Sequence, residues 1–84
     1  MYELALKKSA RKELDSLPYS EFSRVDKAIS ALKENPHPFP QSKKLKGEDS
    51  YRLRCGNYRV VYTIDESLKV ITICRVRHRK EVYG

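Results

Sequence analysis

Long apolar runs are missing from this sequence: none approaches the ~18 residues that a membrane-spanning helix needs. The opening MYELALKKSARKEL does not resemble a secretory signal either, and goes straight into patterned structure. Both absences point to a cytosolic protein with no membrane contact. Cysteine is scarce as well. Cys55 and Cys74 stand alone, in neither zinc-ligand spacing nor a CxxC pair, and each falls inside an apparent strand. They read as buried thiols acting as small hydrophobes in a reducing compartment, with no metal site and no cofactor implied. Repeats and low-complexity tracts are also missing. The last shortage is of acids: beyond residue 50 only Asp65, Glu66 and Glu81 carry negative charge.

What is present is basic. Eighty-four residues allow one domain, residues 1–84. A chain of this size buries only about 60–65% of its unfolded surface, so a partner could contribute much of its stability. Lysine and arginine number 18 against 11 acids, a net charge of +7. Residues 1–50 are nearly balanced, with ten basic and eight acidic side chains, whereas residues 51–84 hold eight basic and three acidic. Seven of those eight are Arg52, Arg54, Arg59, Arg75, Arg77, Arg79 and Lys80. Arginine offers a rigid, always-charged fork matched to phosphate oxygens. The bias therefore points to nucleic acid or an acidic protein, with a solvated basic surface as the plain alternative.

Periodicity gives an α+β order. Tyr2 to Leu6 can form a first strand. Ala10, Leu14 and Leu17 follow at helical spacing, and Pro18 ends that helix. Ser20 is a plausible N-cap for a second helix with the apolar stripe Phe22, Val25, Ala28, Ile29 and Leu32, closed by Asn35-Pro36. The short link between them makes a helical hairpin. Pro36-His37-Pro38-Phe39-Pro40 is a stiff extended connector. Beyond Gly47 the period becomes two, predicting strands over 51–55, 58–65 and 68–76, with Gly56-Asn57 and Asp65-Glu66-Ser67 as turns. The expected architecture is an N-terminal strand and a helical hairpin packed on a small antiparallel sheet.

Successive strand side chains face opposite ways. One consistent solution turns Tyr51, Leu53, Cys55, Tyr58, Val60, Tyr62, Ile64, Val70, Thr72, Cys74 and Val76 toward the helices. Arg52, Arg54, Arg59, Arg75 and Arg77 then converge on the other face, over an apolar floor of Val61, Ile71 and Ile73. Guanidiniums so concentrated repel one another, and few acids lie near them in sequence; the arrangement suggests a bound polyanion. The plain alternative is that the arginines tile an exposed sheet face and pair with loop carboxylates.

The ordered set NPHPFPQSKKLKG, YRLRCGNYRVVYTID and VRHRKEVYG resembles the RelE/ParE toxins of toxin–antitoxin pairs, over essentially the whole chain. The resemblance implies a microbial ribonuclease-type fold. It is nearest to the RelE-type members, endoribonucleases that cut mRNA in the ribosomal A site against the 16S rRNA surface. It also implies an acidic, partly disordered antitoxin as partner. The family's alternatives are a gyrase poison of the ParE type and a degenerate module that binds RNA or antitoxin without cutting. By resemblance Arg59, Arg77 and Tyr83 are catalytic. His78 is the other candidate proton carrier because imidazole suits acid or base duty, although strict alternation after Arg77 aims it toward the helix side, where a structural role is the plain alternative. Arg52, Arg54, Arg75, Arg79 and Lys80 would bind RNA. Arg52 and Arg54 stand where the best-known members carry lysines; arginine stays protonated, which counts against proton transfer there. Metal-independent cleavage requires removal of the 2′-hydroxyl proton, stabilisation of a dianionic phosphorane and protonation of the leaving 5′-oxygen. Surrounding cations would bring the Tyr83 phenol, ordinarily near pKa 10, toward a usable range as base. His37, in the connector, reads as structural.

Overall fold

The computed structural model describes residues 1–38, 42–45 and 50–78. Strand β1 (Glu3–Leu6) leads into helices α1 (Lys8–Asp15) and α2 (Tyr19–Ala31), followed by strands β2 (Ser42–Lys44), β3 (Ser50–Cys55), β4 (Tyr58–Asp65) and β5 (Val70–His78). The five strands form one sheet in the order β1-β5-β4-β3-β2. The expected α+β class holds, and β2 to β5 pair antiparallel. β1, however, joins β5 in parallel, which makes the sheet mixed. No described helix is long and apolar enough to cross a membrane.

The helical hairpin covers one face of the sheet. Ala10 and Leu14 from α1, Val25 and Ile29 from α2, and Leu32 just beyond it pack against Leu53, Cys55, Val60, Tyr62, Ile71, Ile73 and Val76 in a single core. The stripe read from the sequence is thus the buried one. Its helix begins differently. Pro18, not Ser20, is the N-cap: its extended backbone (φ −56, ψ 151) directs its carbonyl to accept from the Phe22 N–H at 2.8 Å. An N-cap position needs that carbonyl and no N–H, so proline serves. Asn35 does not form a left-handed cap, either. The helix ends at Leu32 in ordinary helical geometry, and the Asn35 side chain accepts the His37 N–H at 3.1 Å, a local turn that asparagine makes readily.

Strand β2 has no apolar alternation to announce it. Its three residues pair along the outer edge of β3, and edge lysines of this kind discourage further strand addition. The connector before it is tied down by Tyr62, a fully buried residue of β4. Its hydroxyl donates to the Pro36 carbonyl at 2.7 Å and meets the Ser42 hydroxyl at 2.5 Å. Tyr51 stacks on the same ring and His37 stands edge-on to Tyr51, so His37 has the packing role expected of it. At the β3–β4 hairpin, Gly56 takes φ +59 while Asn57 stays out of the left-handed region, the requirement of a type II′ turn. β5 starts at Val70 because Lys69 adopts φ 56 at the end of the preceding turn.

The alternation assumed for the last strand fails at one point. Val61 pairs with Arg75 but Tyr62 pairs with Ile73, leaving Cys74 as a bulge. Before the bulge, Ile71 and Ile73 are buried in the core; after it Val76 is. The expected inward set Val70, Thr72 and Cys74 and the outward floor of Ile71 and Ile73 are therefore corrected. One extra residue reverses the facing of everything beyond it.

Candidate functional site

On the face away from the helices, the side chains line up in rows across the strands. Arg54 of β3 lies opposite Arg59 of β4, which lies opposite Arg77 of β5. The adjacent row runs Lys43, Arg52, Val61, Arg75. Directly opposed cross-strand residues stand about 5 Å apart at Cβ, and like charges in such pairs are unfavourable. The bulge at Cys74 builds the site: Arg75 and Arg77 share sequence parity with the buried Ile71 and Ile73 and would enter the core without it. Arg59, at the centre, is only 4% exposed. Arg52 and Arg77 are half-buried and Arg54 is exposed.

A third row of Ser50, Thr63 and Thr72 replaces the cations by hydroxyls. The face is thus basic at the end holding the β3–β4 hairpin and neutral toward the other. Fixed positive charge held in place beforehand is what a phosphate developing extra negative charge requires.

Arg75 is engaged by an acid from outside the sheet. Glu13 of α1 accepts from Arg75 Nη2 at 2.8 Å and from Nε at 3.2 Å, and also from the Val76 backbone N–H at 2.9 Å. Burial pushes the Glu13 carboxyl up, but the Arg75 guanidinium, the Val76 N–H and the charge of Arg77 together hold it below its ordinary value. The sequence points to loop carboxylates as possible partners for the arginines; for Arg75 the acid comes instead from the first helix, and no spacing in the sequence connects the two. Lys43 was missed for the same reason as its strand.

His78 lies on the helix side. It pairs across the sheet with Tyr58, and the two rings meet edge-on at 5.2 Å. Alternation from Arg77 predicts this direction, and it separates His78 from the arginine row. Arg79, Lys80 and Tyr83 lie outside the described residues. Cys55 is in the core, where burial pushes its thiol up, and Cys74 is half-buried at the bulge. Among the described residues no group of three or more His, Cys, Asp or Glu side chains converges as metal ligands would.

The sequence profile of the family described as the ParE toxin of type II toxin–antitoxin systems matches residues 4–83. The chain belongs to this family. Within the wider RelE/ParE group it is similar to toxins named RelE and RelG. It is 33% identical to toxin RelE1 of Methanocaldococcus jannaschii, over 98% of this chain and 94% of that protein. It is 28% identical to toxin RelG of Mycobacterium tuberculosis, over 98% of this chain and 95% of that one. Among solved structures, RelE in the archaeal RelE–RelB complex of Pyrococcus horikoshii superposes with a TM-score of 0.83 at 34% identity, covering 93% of this chain and 94% of that chain. The isolated RelE toxin of E. coli superposes at 0.81 and 27% identity, covering 99% and 92%. The RelE/ParE fold is the one seen here.

Proposed function

We propose that this RelE/ParE toxin is an endoribonuclease that cuts mRNA, acting in the ribosomal A site and thereby stopping translation in the cytoplasm. The observation that carries the reading is the cross-strand row Arg54–Arg59–Arg77 with a buried guanidinium at its centre. Three arginines whose Cβ atoms follow one another at about 5 Å can bring several N–H forks to bear on one phosphate. In the reaction the 2′-oxygen forms a bond to phosphorus as its proton passes to a base, and the P–O5′ bond breaks as the 5′-oxygen gains a proton. The products are a 2′,3′-cyclic phosphate and a 5′-hydroxyl. Arg59 and Arg77 stabilise the dianionic phosphorane, Tyr83 is the candidate base, and Arg52, Arg54, Arg79 and Lys80 hold the strand. His78, packed on Tyr58, is assigned no proton transfer.

An acidic antitoxin is proposed as the partner that restrains the toxin. The relatives in several solved structures are bound to RelB, and a net charge of +7 suits an acidic wrap. A second reading, poisoning of DNA gyrase, is favoured by the name of the matching family. End analysis of cut reporter mRNA from a translation extract tests the first reading beside a gyrase supercoiling assay. Cleavage that leaves 2′,3′-cyclic phosphate and 5′-hydroxyl ends supports attack by the RNA's own 2′-hydroxyl. Intact mRNA together with blocked supercoiling would replace the first reading by the second.

A further inference from the structure

We infer that Glu13 is a positioning residue for the arginine row, clamping the β5 bulge that turns Arg77 onto the same face as Arg59. The inference deepens the nuclease reading and rests on it for its kinetic consequence.

β1 ends at Leu6, opposite Ile73, so beyond that point β5 loses its neighbour on that edge while β4 continues on the other. The freed backbone groups lie where the bulge sits. Two side chains of α1, one helical turn apart, satisfy them: Ser9 Oγ donates to the Cys74 carbonyl at 3.4 Å and Glu13 Oε1 accepts from the Val76 N–H at 2.9 Å. The same carboxylate grips Arg75 through two nitrogens. One acid therefore fixes backbone and side chain on both sides of a single peptide link, immediately after the residue where facing reverses. Bulges next to functional sites re-aim side chains, and this one leaves Arg77 as the next outward residue. The Arg77 charge is felt at Glu13 as well, so the clamp and the row share one electrostatic neighbourhood.

A lost clamp would let the bulge relax and Arg77 drift from its place opposite Arg59. Misplacement of a reacting contact by about 1 Å costs up to ~100-fold in rate. Glu13 itself touches no substrate in this account; it works through Arg77.

The test uses the full chain with Glu13→Gln, which keeps an oxygen acceptor for Val76, and with Glu13→Ala. First, amide exchange at Val76 and the side-chain Nε–H resonance of Arg77 are compared with wild type. Second, cleavage by programmed ribosomes is measured as a saturating rate and a half-saturating concentration, in wild-type and Arg77→Ala backgrounds. We expect faster Val76 exchange in Glu13→Ala and a displaced Arg77 resonance in both variants. For Glu13→Gln we expect an approximately tenfold lower saturating rate with little change in half-saturation, shrinking to below about twofold in the Arg77→Ala background. An unmoved Arg77 resonance, or full multiplicative losses in the double variant, would overturn the clamp. If wild type fails to cleave, the nuclease reading falls, and the resonance comparison alone upholds or overturns the positioning of Arg77.

Discussion

Among the described residues Arg59 is the charged side chain that the fold buries, at 4% exposure, with an arginine opposite it on each side. Burial fixes its rotamer, and a fixed guanidinium costs no rearrangement as charge develops on phosphate. Arg59→Ala is expected to lower cleavage roughly 10²–10³-fold, measured in single turnover. Arg59→Lys should recover little of it, because an ammonium cannot reproduce the planar fork. Glu13 makes a separate prediction. Its carboxyl lies below its ordinary value in the folded chain, so its stabilising contribution is complete above the unfolded value of about 4.3 and fades as pH falls through the lower folded value. Wild type should therefore resist urea better than Glu13→Gln at pH 7, and the gap should close in acid.

Most of the elements were legible in the sequence because their apolar spacing is regular. The stripe Val25, Ile29 and Leu32, and the alternation along Tyr58–Asp65, survive unchanged in the structure. The arginine face was legible too, although for β5 the route to it was wrong. A bulge inserts one residue without altering composition, and Ile71 and Ile73 look alike whichever way they face. Short β2 carries no pattern at all, since Ser-Lys-Lys becomes a strand only because β3 offers it an edge. Tyr62 holds that neighbourhood together through Pro36 and Ser42; Tyr62→Phe should cost about 1–2 kcal/mol in denaturant unfolding. At the hairpin, Gly56→Ala is opposed by the positive φ of +59; the Arg24 Nη1 that would stand 2.9 Å from the new Cβ is the tip of a flexible side chain and can swing aside. Thermal unfolding should show a loss of about 1 kcal/mol or more.

At the level of the whole molecule the asymmetry of charge dominates. The second half is arginine-rich, and its strands gather Arg52, Arg54, Arg59, Arg75 and Arg77 on the sheet face away from the helical hairpin. Strand periodicity predicts that placement for β3 and β4, whereas on β5 it depends on the bulge at Cys74; the acid that tempers it, Glu13, carries no sequence signal, because the helix brings it from more than sixty residues away. Association with programmed ribosomes should weaken steeply with added salt, as neutralised phosphates release their counterions. The most direct measurement of the central claim is primer-extension mapping of a reporter mRNA in a translation extract, comparing wild type with Arg77→Ala and Tyr83→Phe. Codon-registered cuts are expected with wild type and with neither variant. Intact mRNA in the presence of folded, growth-inhibiting wild-type protein would contradict that claim.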